Sequence, residues 1–313
     1  NMTAVGSCAL FTNSTGTGNT AVGYFANKLN TTGTDNTSVG REALEANTTA
    51  SGNTAVGYQS LTLNTTGGSN TALGQLAMCA STEGEANTAV GRLALAKNTT
   101  ADNNTAVGAQ SLRCVTTNGD NTAVGTLALN KSTASNSTAV GACALRCNTT
   151  GTDNTAMGAC ALNLNSSGAY NSAFGYRSLD SSTSASSNTA VGFHSMCKTT
   201  TGANNTAVGF CSLQANTTGA SNVAVGYNSM LTNTEGANNV AMGVLALEMN
   251  TTGDGNTAIG REALEANQTA DNNTAVGLKA LEANTTGAQS VAVGVEALKT
   301  QTTGNNNSAF GFC

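Results

Sequence analysis

The chain has 313 residues, of which 9% are charged and 4% aromatic, with no proline, no tryptophan and a formal net charge of −5. With no basic run, nucleic acid and anionic membrane surfaces are excluded as partners, and so few aromatic residues exclude a conventional bulky core. Its apolar stretches are too short for a membrane-spanning helix.

From the N-terminus onward one motif dominates. The tetrapeptide Thr-Ala-Val-Gly, or a close variant, ends at Gly6, Gly23, Gly40 and so on to Gly311, in nineteen copies. They are spaced 17 residues apart, except for one 16-residue step from Gly125 to Gly141. A fixed short period marks a stack of units, none of which can bury its apolar face alone. The expected fold is all-β: one elongated β-solenoid of about 18 coils over residues 1–313, without separate domains. No secretion signal is visible at Asn1, and the chain starts and stops inside a repeat, as expected of a processed product or a piece of something longer.

Positions in a coil are counted here from the motif glycine as zero. The stretch from −4 to −1 favours an extended strand, with Thr at −3 and Val at −1 pointing to one side. Segment +1 to +6 contains helix formers such as Arg41-Glu42-Ala43-Leu44-Glu45-Ala46. Helices are about 10 Å wide, however, against strands stacked about 4.8 Å apart, so helices in every coil would splay the stack into a curved, leucine-rich-repeat-like horseshoe, the alternative form. A second short strand or a tight bend, in a straight stack, is the preferred expectation. Asn-Thr-Thr-Gly at +7 to +10 reads as a turn. Val at −1 and Leu or Met at +4 are the only large apolar columns, and they are the expected core. Small residues at −2 and +3 imply close backbone approach, and leave flat columns against which neighbouring chains could pack.

Asparagine forms two columns. At −4 it is followed by Thr-Ala and reads as an inward ladder of stacked amides. At +7 it opens an Asn-x-Ser/Thr triplet in an expected exposed turn, which makes Asn13, Asn30, Asn47, Asn64, Asn98, Asn148, Asn165, Asn216, Asn250, Asn267 and Asn284 candidate glycosylation sites. Among the nine cysteines, Cys143 and Cys160 share a column in consecutive coils and are disulfide candidates. Cys197 and Cys211, in consecutive coils but different columns, form a second candidate pair. Cys8 and Cys313 are candidates for intermolecular bonds. No Cys-x-x-Cys pair is present, and a single histidine supplies too few ligands for a metal site. His194 lies in a variable column with no recurring carboxylate at a suitable offset, so no catalytic residue, metal or cofactor is expected.

The runs Asn19-Thr20-Ala21-Val22-Gly23 and Asn256-Thr257-Ala258-Ile259-Gly260 resemble the β-roll repeat of trimeric autotransporter adhesin heads of the YadA-like type. They are also similar to repeats of phage tail fibres. The resemblance covers the whole chain, with a longer period and an added Asn-Thr-Thr-Gly turn. It implies an extracellular or virion-surface location and self-association into a homo-oligomer or filament.

The expected function is an extracellular structural fibre module, with the +7 asparagines open to a glycan coat. One alternative is an adhesin or tail-fibre shaft that contacts cell-surface or glycan receptors through the +1 column, where Tyr24, Tyr58, Tyr176, Phe193, Phe210 and Tyr227 stand. Another is an ice-binding solenoid that uses paired threonines at +8 and +9.

Overall fold

The computed structural model describes all 313 residues. Every repeat contributes one three-residue strand, nineteen in all, and the chain contains no helix. It divides into two compact units, Asn1–Asp153 and Asn154–Cys313. The first holds β1 (Thr3–Val5) through β9 (Thr138–Val140), and the second holds β10 (Thr155–Met157) through β19 (Ser308–Phe310). Within each unit successive strands pair in parallel and in register, so that Thr54 faces Thr71 and Val56 faces Leu73. A 17-residue step brings like onto like, and the result is a parallel β-solenoid.

The strand is short because its neighbours cannot be extended. Residues +1 to +6 form a run of turns in which positions +2 and +4 adopt left-handed backbone, as at Glu42 (φ 58) and Leu44 (φ 55). Alternation of this kind forbids a helix despite the helix-forming composition. It corresponds to the bend, not the second strand, of the two predicted forms. A left-handed leucine costs about 1–2 kcal/mol and persists because the ladder continues through the bend. The Glu42 N–H donates to Tyr24 O of the preceding coil (2.9 Å), and the Leu44 N–H donates to Ser60 O of the following coil (3.0 Å). At zero the glycine is required. Gly57 has φ +132, and a Cβ there would sit 2.6 Å from the Gly74 carbonyl oxygen.

The interior is lined by −4, −2, +3, +4, +7 and +10. Leucine or methionine at +4 is buried as expected: Leu44, Leu61, Met78 and Leu129 are all inaccessible. Alanines at −2 and +3, such as Ala21 and Ala26, are inaccessible too. The expected core role of −1 is overturned. Val39, Leu73, Met157 and Met242 are 36–46% exposed. Strand side chains alternate between faces, so −4 and −2 cannot point inward together with −1. The small alanine at −2 goes in, and the larger side chain at −1 goes out. Small residues therefore serve close packing inside the coil, not a neighbouring chain.

The 16-residue step is absorbed in the turn, where Ala134 takes over as the acceptor of the Asn121 amide (2.9 Å). One coil breaks the +4 rule. Asn27 stands in the leucine column, inaccessible, with neither amide atom partnered. Asn27→Leu should raise stability by about 1–3 kcal/mol, because it replaces an unpaired buried amide with the side chain of nearly every other coil. Chemical denaturation of the two proteins measures this.

Candidate functional site

Two asparagine columns meet at one acceptor inside most coils, those with asparagine at both −4 and +7. The −4 amide spans two coils: the Asn53 backbone N–H donates to Asn36 Oδ1 (3.0 Å), and Asn53 Nδ2 donates to Gly67 O (3.0 Å). The same Gly67 oxygen, at +10, accepts a second bond from Asn64 Nδ2 (2.8 Å), which also donates to Asn47 Oδ1 of the preceding coil (3.1 Å). The arrangement recurs at Ala50 O, where Asn36 (2.8 Å) and Asn47 (3.0 Å) converge, and at Gly236 O with Asn222 (2.8 Å) and Asn233 (3.0 Å).

This geometry confirms −4 as an inward ladder and overturns the expected exposure at +7. Asn30, Asn47, Asn64, Asn98, Asn148, Asn165, Asn216, Asn250, Asn267 and Asn284 are all inaccessible, and Asn13 is part-buried. The atom that would carry a glycan, Nδ2, is already a donor: Asn98 to Ala101 O (3.1 Å), Asn148 to Gly151 O (2.8 Å) and Asn284 to Gly287 O (2.8 Å). Turn composition alone suggested exposure. The turn backbone is indeed outside at Thr32 and Thr49, but its first side chain folds inward to satisfy the carbonyl three residues on.

The outer face of the strands carries the −3, −1 and +1 columns. At +1 the structure brings four of the six expected contact residues together. Tyr176, Phe193, Phe210 and Tyr227 stack in a row, with centroids 5.4, 5.3 and 5.4 Å apart and interplanar angles of 20° or less. They are 44–50% exposed. Tyr24 stacks on Phe25 instead (3.9 Å), and Tyr58 lies near the Arg41 guanidinium (5.5 Å), so these two stand apart from the row. Missed from the sequence was that −1 belongs to this same face.

His194 lies flat against Phe193, with centroids 4.2 Å apart and 2° between the planes. Burial holds its pKa below the ordinary value of 6.5, with a further push from Arg177. Stacked on Phe193, it is an extension of the aromatic row. All nine cysteines carry thiols, so the bridges expected of Cys143 with Cys160 and of Cys197 with Cys211 are not formed. Burial pushes the Cys197 and Cys211 thiols up. Cys8 is part-buried. Cys313 is exposed, and its thiol donates to Glu296 Oε2 (3.4 Å).

A carboxylate group not singled out from the sequence gathers Glu262, Glu265 and Glu282, with ligand atoms within 4.8 Å of one another. The Lys279 ammonium sits 2.6 Å from Glu262 and 2.7 Å from Glu282. These partners hold its pKa up, and the Glu262 carboxyl is held below its usual range by Lys279 and Arg261. The group is an ion-pair cluster in which a lysine already supplies the positive charge.

Threonine hydroxyls at +8 are also engaged: Thr31, Thr48 and Thr65 each donate to the +8 carbonyl of the following coil (2.9, 3.1 and 3.0 Å). No protein-family model matches the chain, and no curated protein is similar to it in sequence.

Buried +7 amides have a direct consequence. Peptide mass spectrometry of folded protein should find Asn30, Asn47 and Asn64 unmodified, whatever host produced it. A glycan on any of them in folded material would contradict the inward assignment.

Proposed function

We propose that the chain is a non-catalytic structural module of an extracellular or virion-surface fibre. One observation carries this reading: in each unit, successive coils are tied together by backbone bonds and, in most coils, by two buried amide columns, and the side chains spent on those ties outnumber all other polar interior groups. A sequence that commits its polar interior to a repeated ladder is suited to mechanical persistence. The resemblance to adhesin-head and tail-fibre repeats supports a surface location.

The exposed aromatic row favours a second reading, a shaft that also contacts a receptor. Ice binding through +8 and +9 gains no support, because the +8 hydroxyls are spent on carbonyls of the following coil.

Limited proteolysis with a broad-specificity protease tests the structural reading. Chains should stay intact over long exposure, because even the turn backbone is bonded to adjacent coils, as where Gly52 N–H meets Thr34 O (3.0 Å). Rapid nicking at the Thr-Thr turns, or enzymatic turnover abolished by His194→Ala, would overturn it.

A further inference from the structure

We infer that the outer strand face of unit Asn154–Cys313 is a contact surface for a second copy of this chain. It goes beyond the structural reading, which requires only that each coil be tied to the next. In this unit −1 and +1 are both large and apolar in most coils, as in Val191 with Phe193, Val208 with Phe210 and Met242 with Val244, and these side chains are 36–46% exposed. Parallel pairing places each −1 residue directly beside that of the next strand, so the exposed groups join into one stripe.

Its size sets it apart. Two part-open apolar side chains per coil over the ten strands of this unit leave on the order of 1,000 Å² of apolar surface. The largest patch on a typical monomer is about 300–600 Å², and a standard interface takes about 800 Å² from each partner. In unit Asn1–Asp153 the +1 column is instead mostly polar or small, with Arg41, Gln75, Arg92 and Thr126. The apolar face is therefore not a by-product of the repeat, which needs nothing large at +1.

Two features select the occupant. The sole charge in the unit's −1 and +1 columns is Arg261, and it is matched on its own chain by Glu262 (2.6 Å), so the face offers no charge to steer an acidic or basic partner. Rows of side chains repeat once per coil along the strand stack, and a partner that meshes with every row must share that repeat. A second copy does.

Sedimentation velocity of the full chain over a wide dilution range tests this. Wild-type protein should assemble and dissociate on dilution. Phe193→Arg combined with Phe210→Arg should reduce the mass to that of one 31.0 kDa chain, with an unchanged circular dichroism spectrum and melting temperature. Tyr24→Arg with Tyr58→Arg, in the other unit, should assemble like wild type. If the arginine pair perturbs folding, Tyr176→Ser with Tyr227→Ser takes its place. A wild-type protein that is monomeric at its highest soluble concentration, or a folded variant that assembles unchanged, overturns the inference. A protease-resistant monomer would do so while leaving the structural reading standing.

Discussion

The whole coil depends on one backbone oxygen, the +10 carbonyl, and on the two amides that it accepts. A 17-residue coil is too narrow to bury a conventional core, and its interior holds little more than alanine, leucine and asparagine. Buried backbone groups in such a space must be satisfied from within. Asparagine suits the task because its amide both donates and accepts. At −4 it accepts a backbone N–H of the following coil and donates to +10, while at +7 it donates to +10 and to the amide of the preceding coil. Closure of the coil and attachment to its neighbours are thus performed by the same side chains.

Exceptions show how specific this demand is. Ser81, Ser182 and Thr199 replace asparagine at +7, and each is buried with its hydroxyl unpartnered. A hydroxyl on Cβ is too short to reach the carbonyl that an amide reaches. Ser290, which replaces asparagine at −4, is closer to a substitute: its hydroxyl lies within bonding range of Ala288 O (3.4 Å) and Gly304 O (3.5 Å). Repeats around a defective coil hold it in place, because each ladder continues on both sides.

Much of this was legible in the sequence. Period, all-β class, leucine column and inward −4 ladder follow from spacing and residue type alone. Two inside-outside assignments did not. Val at −1 reads as core because it is the largest apolar residue of the strand, yet alternation allows only one of −2 and −1 to face inward. The amide at −4, two residues from −2, settles which one it is. Asn at +7 reads as exposed because Asn-Thr-Thr-Gly is turn chemistry, and composition does not reveal that a turn can point its first side chain inward. Left-handed backbone at Leu44 and its counterparts was also illegible, since nothing local favours it and only the adjacent coils compensate for it.

The outer surface is where the two units differ. Identical ladders permit almost any residue at +1, and unit Asn154–Cys313 uses that freedom for aromatic and aliphatic groups. Thermal unfolding of Asn64→Leu beside Thr66→Ala tests whether the coil depends on the amides that meet at the +10 carbonyl. The first keeps size but removes one of the two donors to Gly67 O, while the second alters an exposed turn residue of the same coil. A loss of about 2–4 kcal/mol is expected for the first and under about 0.5 kcal/mol for the second. Equal stability of the two variants would contradict that dependence.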